Sequence, residues 1–292
     1  MQQATGVSAG DIDPDVLRPG LDRAREKLHL ASRREATRIE DIAYSLLGIF
    51  DAPISVIYGE GNRAVARLLE HILTGSGDVT LLAWTGSASS YNSCLPTDLT
   101  VYDPLVPPHI PRPIEEDKME EIIRKLRSSV TDLSLATKLH NDIKNLPSPS
   151  LAASRLRLPC ILFPLEDVHS SESENTETSL YVYRATTPAF GDVEIKTEVE
   201  LTNTKGLSLV HPWIRLVLHQ ESFSHGAGSL DQTTQALRFI ARLRQSFGAL
   251  LFQSLSHVEY RRVAADSLIM TRIYEEVSLT ELINGIRTIE VR

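Results

Sequence analysis

The chain has 292 residues, 42% of them apolar and 23% charged, which is the composition of a folded globular protein large enough to bury about three quarters of its unfolded surface. Its net charge of -8 argues against a general nucleic-acid binder, because phosphate contacts need clustered lysine and arginine. Two cysteines, Cys94 and Cys160, are too few for a disulfide framework or a four-ligand zinc site, and two free thiols in the cytosol are expected.

The N-terminus, MQQATGVSAGDIDPDVL, lacks the basic start and apolar run of a secretory signal. No segment reaches the roughly 18 uninterrupted apolar residues of a membrane helix, so a cytoplasmic protein is expected.

The densest local signals lie between Ala31 and Pro96. Ile39, Ile42, Ala43, Leu46, Leu47 and Phe50 fall on one face of a helix. Thr37 and Glu40 have the spacing of a capping box, so the helix is expected to begin near Arg38. Gly48 weakens its last turn, and Asp51, Ala52 and Pro53 stop it. Ile54 to Tyr58 is a short apolar link, and Gly59, Glu60 and Gly61 allow a tight turn. A second helix follows on Val65, Leu68, Leu69, Ile72 and Leu73 and stops between Thr74 and Gly77. Two apolar stripes joined by so short a link should pack on each other or on a shared core.

Further along, Met119, Ile122, Ile123 and Leu126 predict a helix after the proline-rich link Pro104 to Pro113, and Leu135, Leu139, Ile143 and Leu146 form a less regular stripe. Pro147-Ser148-Pro149-Ser150 is a boundary, giving a mainly helical part over 1–146 and a strand-rich part over 151–292. In the second part Leu158 to Leu165 reads as a strand, Glu166 to Ser179 as an exposed loop, and Leu180 to Ala185 as a resumed sheet. Val193, Ile195, Thr197, Val199 and Leu201 alternate with charged residues at period two. Ile214 to Leu218, Ala249 to Phe252, Val258 to Val263, Leu268 to Tyr274 and Thr288 to Val291 are further strand candidates. One helix, Thr233 to Gln245 with Asp231 as cap, interrupts them. The expected fold class is α+β.

The words ASRREATRIEDIAYSLLGIFDAPISVIYGEGNRAVARLLEHI and AWTGSASSYNSCLP resemble the segment that closes the HET (heterokaryon incompatibility) domain of fungal proteins, particularly those of mushroom-forming fungi. MQQATGVSAGDI resembles the approach to that segment, while RLRLPCILF, QALRFIARLRQSFGALLF and EYRRVAADSLI resemble blocks downstream of it. Members of that family usually begin with a strand-rich core bearing a tryptophan-containing opening motif and a Trp-Thr-Leu-Gln-Glu-like motif. Neither occurs here, and Trp84 and Trp213 sit in other surroundings. The resemblance implies non-self recognition and a cell-death response when unlike hyphae fuse. Because the core is similar to TIR-like folds, some of which cleave NAD, it also admits a reduced NAD-cleaving enzyme, or a truncated gene product without activity.

The residues themselves complete no catalytic site. The Gly59-Glu60-Gly61 turn precedes a helix N-terminus, where anions are favoured, but it lacks the lysine of a P-loop and the third glycine of a dinucleotide fingerprint, and Glu60 repels phosphate. Arg33, Arg34 and Arg38 are either a docking patch for an acidic partner or a solvated helix start with local ion pairs to Glu35, Glu40 and Asp41. The acidic run Glu115, Glu116, Asp117, Glu120 and Glu121 suits a first helical turn. His211, His219 and His225, with Glu221, fit no zinc spacing, Cys160 has no neighbouring base, and no Gly-x-Ser-x-Gly elbow occurs. The expectation is a non-enzymatic interaction or regulatory protein with no cofactor and no metal. Its partner is a protein, either a HET core segment or a signalling component. Its oligomeric state is open, and Arg33, Arg34, Arg38, Tyr58, Gly59, Glu60 and Gly61 form the partner-facing or structural motif.

Overall fold

The computed structural model describes residues 13, 16, 18–103, 111, 113–129, 132–171, 181–197, 200, 201, 203–222, 230–265 and 268–292. The expected features at 1–12, most of the link 104–113, the greater part of the expected loop (172–179), Leu180, Val199 and His225 lie outside those residues, as do the side chains of His219 and Glu221. Helices dominate the N-terminal part and strands the C-terminal part, a mixed α+β arrangement.

In chain order the helices are α1 (Ala24–Ala31), α2 (Ile39–Tyr44), α3 (Arg63–Ser76), α4 (Glu116–Ser129) and α5 (Leu133–Lys144). They are followed by α6 (Ile214–Ser222), α7 (Gln232–Leu243) and α8 (Leu279–Gly285). The apolar stripe of α3 is buried from Ala64 to Leu73, and the helix ends where Gly77 takes a left-handed φ of 64°. Helix α7 is capped as its sequence predicts, Asp231 accepting the amide of Thr234.

Three expectations are corrected. Ile214 to Leu218 is the start of α6 and not a strand. Its run Trp-Ile-Arg-Leu-Val-Leu is short and apolar but for Arg215, and such runs do not separate strand from helix by periodicity. Part of the expected loop after Leu165 is a strand, Glu166–Ser171, paired antiparallel to Tyr181–Thr187 with a register shift between Glu166 and His169, since main-chain pairing with a neighbour does not require an apolar sequence. Helix α8, closed by a capping box between Ser278 and Glu281, adds to the one helix expected among the strands.

The strands are β1 (Ser150–Ala152), β2 (Arg155–Pro164), β3 (Glu166–Ser171), β4 (Tyr181–Thr187), β5 (Gly191–Thr197), β6 (Leu207–His211), β7 (Phe247–Ser254), β8 (Glu259–Arg262), β9 (Ile269–Thr271) and β10 (Ile286–Val291). Pairings run β2-β10-β8-β7-β6 and return from β6 to β2, so the circuit is closed; β1 adds to β2 and β9 to β7. Only β8 and β10 in this circuit run parallel. β6 and most of β7 are buried on both faces, which erases the period-two alternation from their sequence. Strands β3, β4 and β5 form a separate antiparallel sheet, and β5 shows the alternating burial predicted for it.

Helices α4, α5 and α6 pack around α7, and α8 lies on β2. Gly285 permits that approach, since a Cβ there would stand 2.9 Å from Ile161 Cγ2 and 3.0 Å from the Leu162 carbonyl.

The segment after α3 joins the sheet directly. Asn92 Nδ2 donates to the carbonyls of Val291 (2.7 Å) and Ser154 (2.9 Å), and Ser93 Oγ donates to the carbonyl of Arg292 (2.6 Å). Arg262 on β8 reaches back to the carbonyls of Leu82 (2.9 Å) and Trp84 (2.7 Å), with its guanidinium 3.9 Å from the centre of the Trp84 ring.

Cys94 and Cys160 are both buried and free. Burial pushes both thiols up, Cys94 to about 12. A water-soluble thiol reagent counted by mass spectrometry is expected to label neither cysteine in the folded chain and both in denaturant; rapid labelling of the native protein would contradict this packing. No helix among the described residues is long and apolar enough to cross a membrane.

Candidate functional site

The first helix of the expected pair is shorter than its apolar stripe. Arg38 is extended (φ -109°, ψ 132°), α2 starts at Ile39, and the chain leaves the helix after Tyr44 in a series of tight turns that reaches Asp51 in a left-handed conformation (φ 47°). The predicted capping box does not form, and no side chain caps α2. Glu40 is used elsewhere: its Oε1 accepts the amides of Gly59 (2.8 Å) and Gly61 (3.1 Å). Both glycines have positive φ, 94° and 58°, which is what turns two nearby amides onto one oxygen. The amides of Glu40 itself, Gly61 and Gly59 hold the Glu40 carboxyl below the usual carboxylate range.

Tyr44 is the second fastening. Its hydroxyl accepts the amide of Ile57 (2.8 Å) and lies 2.7 Å from the Ile57 carbonyl and 2.6 Å from Glu60 Oε1, with one proton to share between these two acceptors. Burial and the Glu60 carboxylate push this phenol up. Glu60 also accepts from Arg67 (2.7 Å), whose other nitrogen donates to the carbonyl of Ser55 (3.1 Å).

Above this network, Tyr58 stands edge-on to Tyr44 with ring centres 5.9 Å apart, and Arg38 lies 4.7 Å over the Tyr58 ring. The Tyr58 phenol is pushed up by its hydrogen bond to Asp41. The corner is therefore tied down from beneath while Val56, Ile57 and Tyr58 are 52%, 51% and 55% exposed. Ile39, expected on the buried stripe, is also exposed. Clustered exposed apolar side chains on an anchored loop suit contact with another molecule. Tyr44→Phe, which leaves the Ile57 amide without its acceptor, is expected to cost about 1 to 2 kcal/mol in denaturant unfolding and to speed exchange of that amide; unchanged stability and exchange would contradict the role given to the hydroxyl.

The three arginines separate. Arg33 pairs with Asp103 (2.6 and 3.1 Å), Arg34 donates to Ser45 Oγ (3.2 Å), and Arg38 joins the corner. Of the acidic run, Glu115 pairs with Lys118, Glu121 with Lys125, and Glu116 makes a two-point contact with buried Arg238 on α7 (2.6 and 2.8 Å). His211 is buried on β6. Among the described residues no three His, Cys, Asp or Glu side chains converge as metal ligands. A cleft of about 1090 Å³ lies between α4, the end of α7, β9 and the start of α8, lined by Lys118, Leu126, Arg244, Met270 and Glu276 among others. No residue of the corner lines it.

Of the motif residues marked by sequence, the structure brings together Arg38, Tyr58, Gly59, Glu60 and Gly61, and leaves Arg33 and Arg34 outside. Sequence reasoning missed Glu40, Tyr44 and Arg67 as the groups that fasten the turn, and Val56 and Ile57 as exposed. The one available signal was the uncharged run Pro53 to Tyr58 directly before two glycines.

A stretch of 48 residues is 48% identical to the vegetative incompatibility protein HET-E-1 of Podospora anserina. It covers 16% of this chain and 4% of that relative, so the chain spans only a small fraction of the relative's length. No family model matches the chain, and no solved structure matches it. The similarity is partial and is consistent with a heterokaryon-incompatibility role.

Proposed function

We propose that the chain is a non-enzymatic interaction component of a fungal heterokaryon-incompatibility system, acting in the cytoplasm in non-self recognition and the cell-death response. The observation that carries the reading is the corner: Glu40, Tyr44 and Arg67 hold the loop rigid from inside while Val56, Ile57 and Tyr58 face solvent. Order set by internal bonds lowers the entropy lost when a partner binds, which favours a docking surface. Glu60 is engaged by Tyr44 and Arg67 at the corner. The partial similarity to a vegetative incompatibility protein supplies the biological setting.

In this reading the segment from Arg38 to Leu73 docks on a HET core carried by another segment or another chain. The strand-rich part, 151–292, scaffolds it. Two experiments test the reading. Expression in a fungal host is expected to change the fraction of fusion cells that die when unlike hyphae meet, scored with a vital dye; no change across several pairings would count against it. Incubation of purified protein with NAD is expected to release no nicotinamide above buffer. Turnover abolished by Glu60→Ala would replace the interaction reading with an NAD-cleaving one.

A further inference from the structure

The link between α2 and α3 presents one backbone edge to the protein and the other to solvent. Ile57 turns both its amide and its carbonyl toward the Tyr44 hydroxyl (2.8 and 2.7 Å), and the Ser55 carbonyl receives Arg67 (3.1 Å). In an extended chain the amide and carbonyl of one residue point the same way, and those of the next residue point the opposite way. Val56 therefore directs its amide and carbonyl away from the protein, and neither has a hydrogen-bond partner among the described residues. From Pro53 to Tyr58 the segment carries no acidic or basic side chain, and Ile54, Val56 and Ile57 are β-branched, the composition of a strand. The Ile54 amide on that outer edge is taken by the Ala52 carbonyl (2.8 Å), which leaves the Val56 amide and carbonyl as its open groups, and an uncharged edge of this kind is normally covered or blunted in folded proteins.

The geometry points to strand addition: the Ile54–Tyr58 edge accepts an extended segment of a partner polypeptide, hydrogen-bonded to the Val56 amide and carbonyl. The partner segment is apolar and carries an acidic residue where it passes Tyr58. That residue is called for by Arg38, which lies over Tyr58 and forms no ion pair among the described residues; Glu40 feels its charge but is bonded to the glycine amides, and Asp41 is taken up by the Tyr58 hydroxyl. A peptide strand fits better than a second copy of the chain. Four partly exposed apolar side chains fall well short of the roughly 800 Å² per partner that a stable globular interface buries, and the net charge of -8 opposes self-association. Main-chain hydrogen bonds supply affinity that does not require a large area.

This inference rests on the corner being partner-facing. Its test uses the full chain, ¹⁵N-labelled, titrated with acetyl-Thr-Val-Ile-Val-Glu-amide. Saturable shifts at Val56 and Tyr58 with slower exchange of the Val56 amide are expected. Methylating the backbone nitrogens of the peptide should weaken binding at least tenfold. Val56→Pro should do the same with the fold intact, since the lost amide has no internal partner and proline keeps Ser55 extended. Arg38→Gln should weaken the glutamate peptide severalfold and leave its glutamine analogue unaffected. Equal binding of the methylated peptide, no saturable shift at Val56, or self-association at this edge in place of peptide binding would each overturn strand addition. Should Ile57→Ser with Tyr58→Ser silence the hyphal response while peptide binding shows no backbone dependence, the docking reading stands and strand addition alone fails.

Discussion

Replacing Arg262 with methionine is expected to lower stability by roughly 3 kcal/mol, because two buried carbonyls each lose a charged donor at a cost of about 1 to 3 kcal/mol. Arg262 is 4% exposed, and burial pulls its guanidinium down to about 10. No carboxylate among the described residues pairs with it; it is held by the carbonyls of Leu82 and Trp84 and by the face of the Trp84 ring, and its backbone amide donates to Ser93 Oγ (2.9 Å). Methionine keeps much of the volume and relieves the burial of a charge, which limits the loss, yet it strips the Trp84 carbonyl of its donor and leaves the Leu82 carbonyl with the Trp84 amide alone (3.0 Å). Since these bonds join β8 to the segment after α3, the variant should also loosen Asn92 and Ser93 from the chain end at Val291 and Arg292. Denaturant unfolding with hydrogen exchange checks both points. A midpoint within error of the parent would show that the guanidinium is dispensable to the junction.

The second large effect is an acid sensitivity located at His211. The imidazole is fully buried on β6, its ring centre 3.8 Å from that of Phe247; among the described residues neither ring nitrogen has a well-formed hydrogen bond, and the residue's own backbone offsets burial only in part. Burial pulls it from the ordinary 6.5 down to about 3. The folded chain therefore keeps this histidine neutral, while the unfolded chain takes up a proton as pH falls through 6.5. Stability from this group is complete above that value and declines below it by about 1.4 kcal/mol per pH unit until the folded group titrates near 3. Relative to His211→Leu, the parent should lose about 2 kcal/mol between pH 7 and pH 5. Parallel pH profiles for the two proteins would show that the histidine is not held neutral in the fold.

Two of the Ser/Thr-x-x-Glu words in the sequence show where local reading succeeds and where it stops. Ser278 and Glu281 close a capping box around the first turn of α8. Thr37 and Glu40 have the same spacing and do not, because the glycine amides some twenty positions later claim the carboxylate. Nothing within four residues of either word separates the cases. Helices α3 and α7 were legible because their apolar stripes and stops are local, down to the left-handed Gly77 and the Asp231 cap. Strand β6 was not, since Leu207–His211 is buried on both faces and shows no alternation. The closed circuit of strands rests on pairings such as Ile161 with His211 and Val291 with Tyr260, which join distant positions.

At the candidate site the tight turn at Gly59-Glu60-Gly61 was readable from its composition. Its fastening was not, because Tyr44 and Arg67 each act on backbone twelve or thirteen residues away. Of the three arginines marked as a patch, only Arg38 reaches the corner; Arg33 finds Asp103, seventy residues on.

The most direct test of the corner as a docking surface is the death of fusion cells in a host expressing either the parent chain or the chain with Ile57→Ser and Tyr58→Ser. Both side chains are half exposed, so the variant should fold with a melting temperature close to the parent's. The account predicts that the parent changes the dye-positive fraction and that the equally abundant, folded variant does not. A variant as active as the parent would contradict it.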